Sequence, residues 1–125
     1  MNNDEVARAF SGHRFEEAFD RLAEDVVWNL VGEARLEGRA AVIAACRETT
    51  DGLRGATVTW LRFVSTGDGD AVAVDVVGRY AEEAGVSAVS SCDVFEFSDG
   101  MISAITSYAA ELAPDDPQLT AVARA

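Results

Sequence analysis

At Asp51-Gly52 the spacing of apolar residues along the chain changes from three and four to two, and this switch narrows the choice of fold more than any other feature. Beyond it the chain reads as four strands: Thr57 to Ser65, Ala71 to about Tyr80, Val86 to Ser98, and Met101 to about Tyr108. They are joined by Gly67-Asp68-Gly69-Asp70, the looser Ala81-Glu82-Glu83-Ala84-Gly85, and the tight pair Asp99-Gly100. Links this short predict an antiparallel meander. Pro114 and Pro117 then end regular structure.

Ahead of the switch the pattern is helical. Val6 and Phe10 share a face of a short opening helix, with Asn3 and Asp4 as caps. After Ser11-Gly12-His13, the residues Phe15, Ala18, Phe19 and Leu22 recur at i, i+3, i+4 and i+7, which predicts a second, amphipathic helix closed by Glu24-Asp25. Val26 to Val31 is a short strand, Arg35-Leu36-Glu37 a brief extended piece, and Arg39 to about Thr50 a third helix. Helices first and hairpin-linked strands afterwards predict an α+β domain, with the helices packed on one side of a curved antiparallel sheet. A chain of 125 residues fits one domain over 1–125 and buries about two thirds of its unfolded surface. Residues 113–125 are expected to be a flexible or lid-like tail.

Charge limits the partners. Twenty-two acidic residues stand against ten basic ones, a formal charge of −12, and every basic residue is Arg. That balance repels phosphate backbones and anionic membrane surfaces, leaving a neutral hydrophobic small molecule as the expected partner, with no nucleic acid and no membrane. No apolar run reaches the roughly 18 residues of a membrane span and no export leader is evident, so a cytoplasmic location is expected. Cys46 and Cys92 match no metal or redox spacing and read as free thiols. His13, the lone histidine, cannot assemble a His-based metal site and reads as a surface or capping residue of a loop. No metal and no redox cofactor are expected.

The candidate chemistry lies in the strand Val86 to Ser98. Strand side chains repeat every two residues, so Val89, Ser91, Asp93, Phe95 and Phe97 share one face. A carboxylate among apolar neighbours is costly unless it is paired or held neutral, which marks Asp93 as a pocket candidate. Kept protonated by burial, it would act as an acid or donate a hydrogen bond to a substrate carbonyl or enolate. Asp75 lies among alternating valines; inward-facing Val72, Val74 and Val76 would turn it outward, and the irregular turn after Tyr80 leaves that register open. Asn29, near the end of the first strand, is a candidate for orienting a ligand or water.

The chain resembles the superfamily of nuclear transport factor 2, scytalone dehydratase, ketosteroid isomerases and SnoaL-type polyketide cyclases. The likeness rests on Leu22-Ala23-Glu24-Asp25-Val26-Val27-Trp28, on Leu36-Glu37-Gly38-Arg39-Ala40-Ala41-Val42, and on Asp93-Val94-Phe95-Glu96-Phe97 with Asp99-Gly100-Met101-Ile102. It covers roughly residues 4 to 112. The resemblance implies a cone-shaped fold with a cavity between the concave sheet and the helices, and a homodimer formed through the sheet's other face. Asp93, Asp75 and Asn29 are the catalytic candidates, and Trp28, Phe95, Val74, Val76 and Ser107 are expected to line the ligand site. Trp28, Trp60 and Tyr108 are also read as core or dimer-contact aromatics.

Individual active sites carry over incompletely. Ketosteroid isomerases place a base Asp where this chain has Asn29, an oxyanion-binding Asp where it has Asp93, and a Tyr where it has Val6. Limonene-epoxide hydrolases use an Asp-Arg-Asp set; Asp75 matches the first Asp, but Ala73 and Ser107 stand at the other two positions. SnoaL-type cyclases are the looser match that is left. The expected function is isomerisation, cyclisation, dehydration or hydration of a neutral hydrophobic molecule. The alternative is a non-catalytic ligand-binding or dimeric interaction module.

Overall fold

The computed structural model describes residues 1–119; the part of the expected tail over 120–125 lies outside the described residues. Helix α1 (Asn3–Ser11) opens the chain, followed by a 3₁₀ helix (Phe15–Arg21), strands β1 (Leu22–Leu30) and β2 (Ala34–Glu37), and helix α2 (Arg39–Gly52). Strands β3 (Thr57–Asp68), β4 (Ala71–Glu82), β5 (Gly85–Ser98) and β6 (Met101–Leu112) complete it. The strands form one curved sheet in the order β2-β1-β6-β5-β4-β3. Among the described residues no helix is long and apolar enough to cross a membrane.

The meander β3 to β6 is antiparallel throughout, as the short turns require. Asp99 and Gly100 both adopt positive φ, 51° and 78°, as a type I′ hairpin turn needs. The sheet is nonetheless mixed: β1 runs parallel to β6, pairing Trp28 with Ile105 and Leu30 with Ser107. The long connection from β1 through α2 and the meander brings the chain back in the same direction, which a hairpin could not do.

The second helix differs from its amphipathic α-helical expectation. It is 3₁₀, burying Phe15 and Ala18 three residues apart, and Leu22 leaves it to begin β1 opposite Ile102. Strand β1 therefore starts at Leu22 rather than Val26. Pairing with β6 overrides the local helical period there.

Helix α1 is the plug of the cone. Asn2 caps it in a reciprocal capping box with Glu5, and Val6, Ala7 and Phe10 are buried against the sheet. The Phe10 ring meets Phe15, Trp28 and Phe95 edge-on, with centroids 5.0, 5.1 and 5.6 Å away. Truncation here leaves a cavity bounded by three other rings. The Phe10→Ala variant is expected to lose about 3–5 kcal/mol, read as a lowered urea midpoint. A loss under about 1 kcal/mol would mean that the helix is not what closes the core.

Candidate functional site

Strands β1, β5 and β6 turn alternate side chains toward α1, and the space between them is a half-open cavity of about 230 Å³. Its walls are mostly apolar: Phe10, Phe15, Trp28, Leu30, Trp60, Val89 and Ala109. The polar groups that reach it are Ser11, His13, Thr49, Tyr80, Ser91, Asp93 and Ser107. Among the described residues Asp93 supplies the only carboxylate of this lining.

Asp93 is half-buried and held on both oxygens. Ser11 Oγ, at the end of α1, donates to Oδ2 at 2.7 Å, and Ser107 Oγ, from the facing position of β6, donates to Oδ1 at 2.6 Å. Ser107 in turn accepts from the Trp28 indole Nε1–H at 2.9 Å. An indole nitrogen only donates, so the serine proton is directed onward to the carboxylate. Three strands and one helix meet at this group. A carboxylate offers about four acceptor positions, so two taken by serines leave others for a ligand.

Across the cavity, His13 Nε2 lies 3.0 Å from the Tyr80 hydroxyl. The imidazole rests against Phe15 and Trp60, and among the described residues its buried Nδ1 has no hydrogen-bond partner. Burial holds the His13 pKa below its ordinary value, and the Asp93 charge partly opposes this. The Tyr80 hydroxyl is pushed up by burial and, to a lesser degree, by Asp93. His13 is thus a pocket residue, not the surface or capping residue expected from its loop. The signal was faint: a His two residues past a buried helix end, followed by Phe15.

The structure separates the other candidates. Val74 pairs with Asp93, and Asp75 with Cys92, so Asp75 faces the opposite side of the sheet from the cavity. There it forms an exposed ion pair with Arg62 at 2.9 Å, of little energetic weight. Asn29 also points away, because Trp28 and Leu30 take the inward positions of β1. Trp28 and Ser107 do reach the cavity. Phe95, Val74 and Val76 do not; they lie in the packed core beneath it, 0%, 0% and 3% exposed.

A larger depression of about 410 Å³ lies on the outer side, between Leu61, Arg79, Val86, Leu112, Pro114 and Leu119. Among the described residues its lining side chains form no hydrogen-bonded network, and Leu119 adjoins the undescribed residues in sequence. Size alone does not make it the site. The described part of the tail thus lies by the outer face rather than over the cavity.

A family model described as SnoaL-like domain matches residues 4–105. The chain belongs to the SnoaL-like family. No curated protein matches the chain in sequence. Among solved structures it is similar to an NTF2-like protein of unknown function from Cytophaga hutchinsonii, with TM-score 0.74 and 26% identity over 85% of this chain and 94% of that one. It is also similar to an LEH-like epoxide hydrolase of M. tuberculosis, with TM-score 0.63 and 26% identity over 86% of this chain and 81% of that one. A candidate polyketide cyclase from Xanthomonas campestris has TM-score 0.65 and 22% identity, covering 82% and 83% of the two chains. The SnoaL-like chain thus shares the NTF2-like cone fold anticipated from its motifs.

The depressed His13 pKa has a stability consequence. Below about pH 6.5 the unfolded chain takes up this proton before the folded one does. Stability is therefore complete above that pH and falls as pH drops toward the folded value. In urea titrations between about pH 7 and pH 5, the His13→Gln variant is expected to show a shallower decline than the parent. An identical decline in both would show that His13 titrates as an exposed residue.

Proposed function

We propose that this SnoaL-like protein is a cofactor-independent enzyme acting on a compact, neutral, hydrophobic molecule by isomerisation, cyclisation or hydration-type chemistry, with Asp93 as its proton-transfer group. The observation that carries this is the half-buried carboxylate, set in an aromatic cavity and oriented by Ser11 and Ser107. Asp93 takes a proton from an activated C–H or from a water and returns it later in the cycle, so the carboxylate is regenerated. A volume of about 230 Å³ lies below the roughly 300–1,000 Å³ of sites for drug-sized ligands, which favours one small ring over a steroid. The charge of −12 favours neutral substrates. Similarity to an epoxide hydrolase makes epoxides reasonable probes, but among the described residues the cavity lining has no arginine to complete an Asp-Arg-Asp set.

One feature favours a second reading, a non-catalytic ligand binder: both Asp93 oxygens already have hydroxyl donors. The two readings part at Asp93→Asn. For an enzyme, turnover of the active member of a neutral cyclic ketone and epoxide panel falls at least about 100-fold, with the melting temperature nearly unchanged. Loss of stability with turnover retained, or with no turnover in either protein, supports the binder.

Homodimerisation through the outer face belongs to the same proposal. Val64 and Tyr108 stand 44% and 51% exposed there, beside small side chains such as Ala110 on β6. Free Cys46 and Cys92 accord with a reducing, cytoplasmic setting. Sedimentation equilibrium at micromolar concentration is expected to give twice the chain mass, and Tyr108→Glu to give a monomer. A monomeric parent removes the dimer.

A further inference from the structure

We infer that His13 and Tyr80 form the hydrogen-bond-donating pole of the cavity: His13, in its Nε2–H form, donates to the Tyr80 oxygen and leaves the tyrosine hydrogen for an acceptor oxygen on the bound molecule. This rests on the pocket proposed above and deepens it. Asp93 supplies an accepting pole, Tyr80 a donating one, and the ligand class becomes small neutral carbonyl compounds. Neither residue occupies a position to which the family resemblance assigned a role.

The proton's place follows from the sealed nitrogen. A neutral imidazole carries one hydrogen, on Nδ1 or on Nε2. On Nδ1 it would be a buried N–H with no acceptor among the described residues, left with its full desolvation cost. The doubly protonated ring has the same defect with a charge added, in keeping with the lowered His13 pKa. On Nε2 the hydrogen meets the Tyr80 oxygen, and every ring donor is used. The separation of 3.0 Å lies within the range of an N–H···O hydrogen bond.

The tyrosine hydrogen is then unclaimed. Among the described residues the Tyr80 hydroxyl has no hydrogen bond except that with His13, and Tyr80 lines the cavity. Its raised pKa keeps the phenol protonated at neutral pH. It is a donor by default.

Two backbone features hold the pair in place. A Cβ at Gly78, two residues back on the same face of β4, would come within 2.9 Å of the Tyr80 hydroxyl and 2.9 Å of the Trp60 ring. The missing methyl leaves room for the ring to fold back along the strand. His13 adopts φ 64°, a conformation uncommon for a residue with a Cβ, while its N–H bonds the Phe10 carbonyl at 3.1 Å. This turn aims the imidazole inward between Phe15 and Trp60. His13 is a positioning residue; Tyr80 is the group that touches the ligand.

The test uses the whole chain and cyclohexanone labelled with ¹³C at the carbonyl. Because the chain has a single histidine, a long-range ¹H–¹⁵N spectrum reads its tautomer without assignment. The expected spectrum shows a protonated Nε2 and a bare Nδ1, and the Nε2 signal moves in Tyr80→Phe. The carbonyl resonance of cyclohexanone is expected to shift downfield on binding the parent. In Tyr80→Phe that shift disappears and affinity drops about three- to tenfold, the worth of one neutral hydrogen bond. His13→Gln, whose amide N–H can also donate, is expected to keep part of the shift. A proton on Nδ1, or an equal carbonyl shift in Tyr80→Phe, overturns the inference and leaves the Asp93 pocket intact. A protonated Nε2 with no carbonyl shift in any of the proteins rejects the carbonyl ligand and counts against the pocket itself.

Discussion

The end of helix α1 is the point on which this structure turns. Phe10 and Ser11 are neighbours in sequence, yet one plugs the aromatic core and the other holds the Asp93 carboxylate. Packing and polarity are therefore satisfied by one helical turn. Because Phe10 meets rings from β1 and β5 as well as Phe15, α1 cannot shift without opening the core. Ser11 inherits that rigidity, and so does the carboxylate it touches.

Around this anchor the cavity departs from the local rules kept elsewhere in the chain. It holds a half-buried carboxylate, a buried nitrogen with no partner among the described residues, and a histidine in the left-handed region. Each is costly by itself and they lie within one small space, where strain and unmet polarity tend to mark a site. The apolar walls strengthen the electrostatic effect of the groups facing each other across the cavity. On the outer face, by contrast, Asp75 and Arg62 pair in solvent, where screening leaves them little influence.

How far the site was legible depended on the type of element carrying each residue. Asp93 lies in a long regular strand next to a tight turn, so counting by two placed it on the inner face. The same counting works for Asp75 once the two-residue turn at Glu83-Ala84 is seen; the longer irregular turn inferred from sequence had left its side open. Asn29 sits one residue from Trp28, and a one-residue offset in a strand moves a side chain through the sheet. His13 was hidden for another reason. Its direction is set by a positive φ in a loop, and no periodic pattern encodes that.

What the sequence determined by itself was the class of fold: the change of period, the hairpin turns and the motifs around Trp28, Gly38 and Asp93 sufficed for a helix-filled, curved sheet. Those are local signals, set by side-chain alternation and turn chemistry within a few residues. The tertiary structure alone decided three things: the parallel union of β1 with β6, the conversion of the second helix to 3₁₀, and the meeting of Ser11, His13, Tyr80, Asp93 and Ser107 at one cavity. These residues come from α1, the loop after it, β4, β5 and β6. Their closeness depends on how the sheet curves around Phe10, a property of packing among distant segments rather than of any one of them.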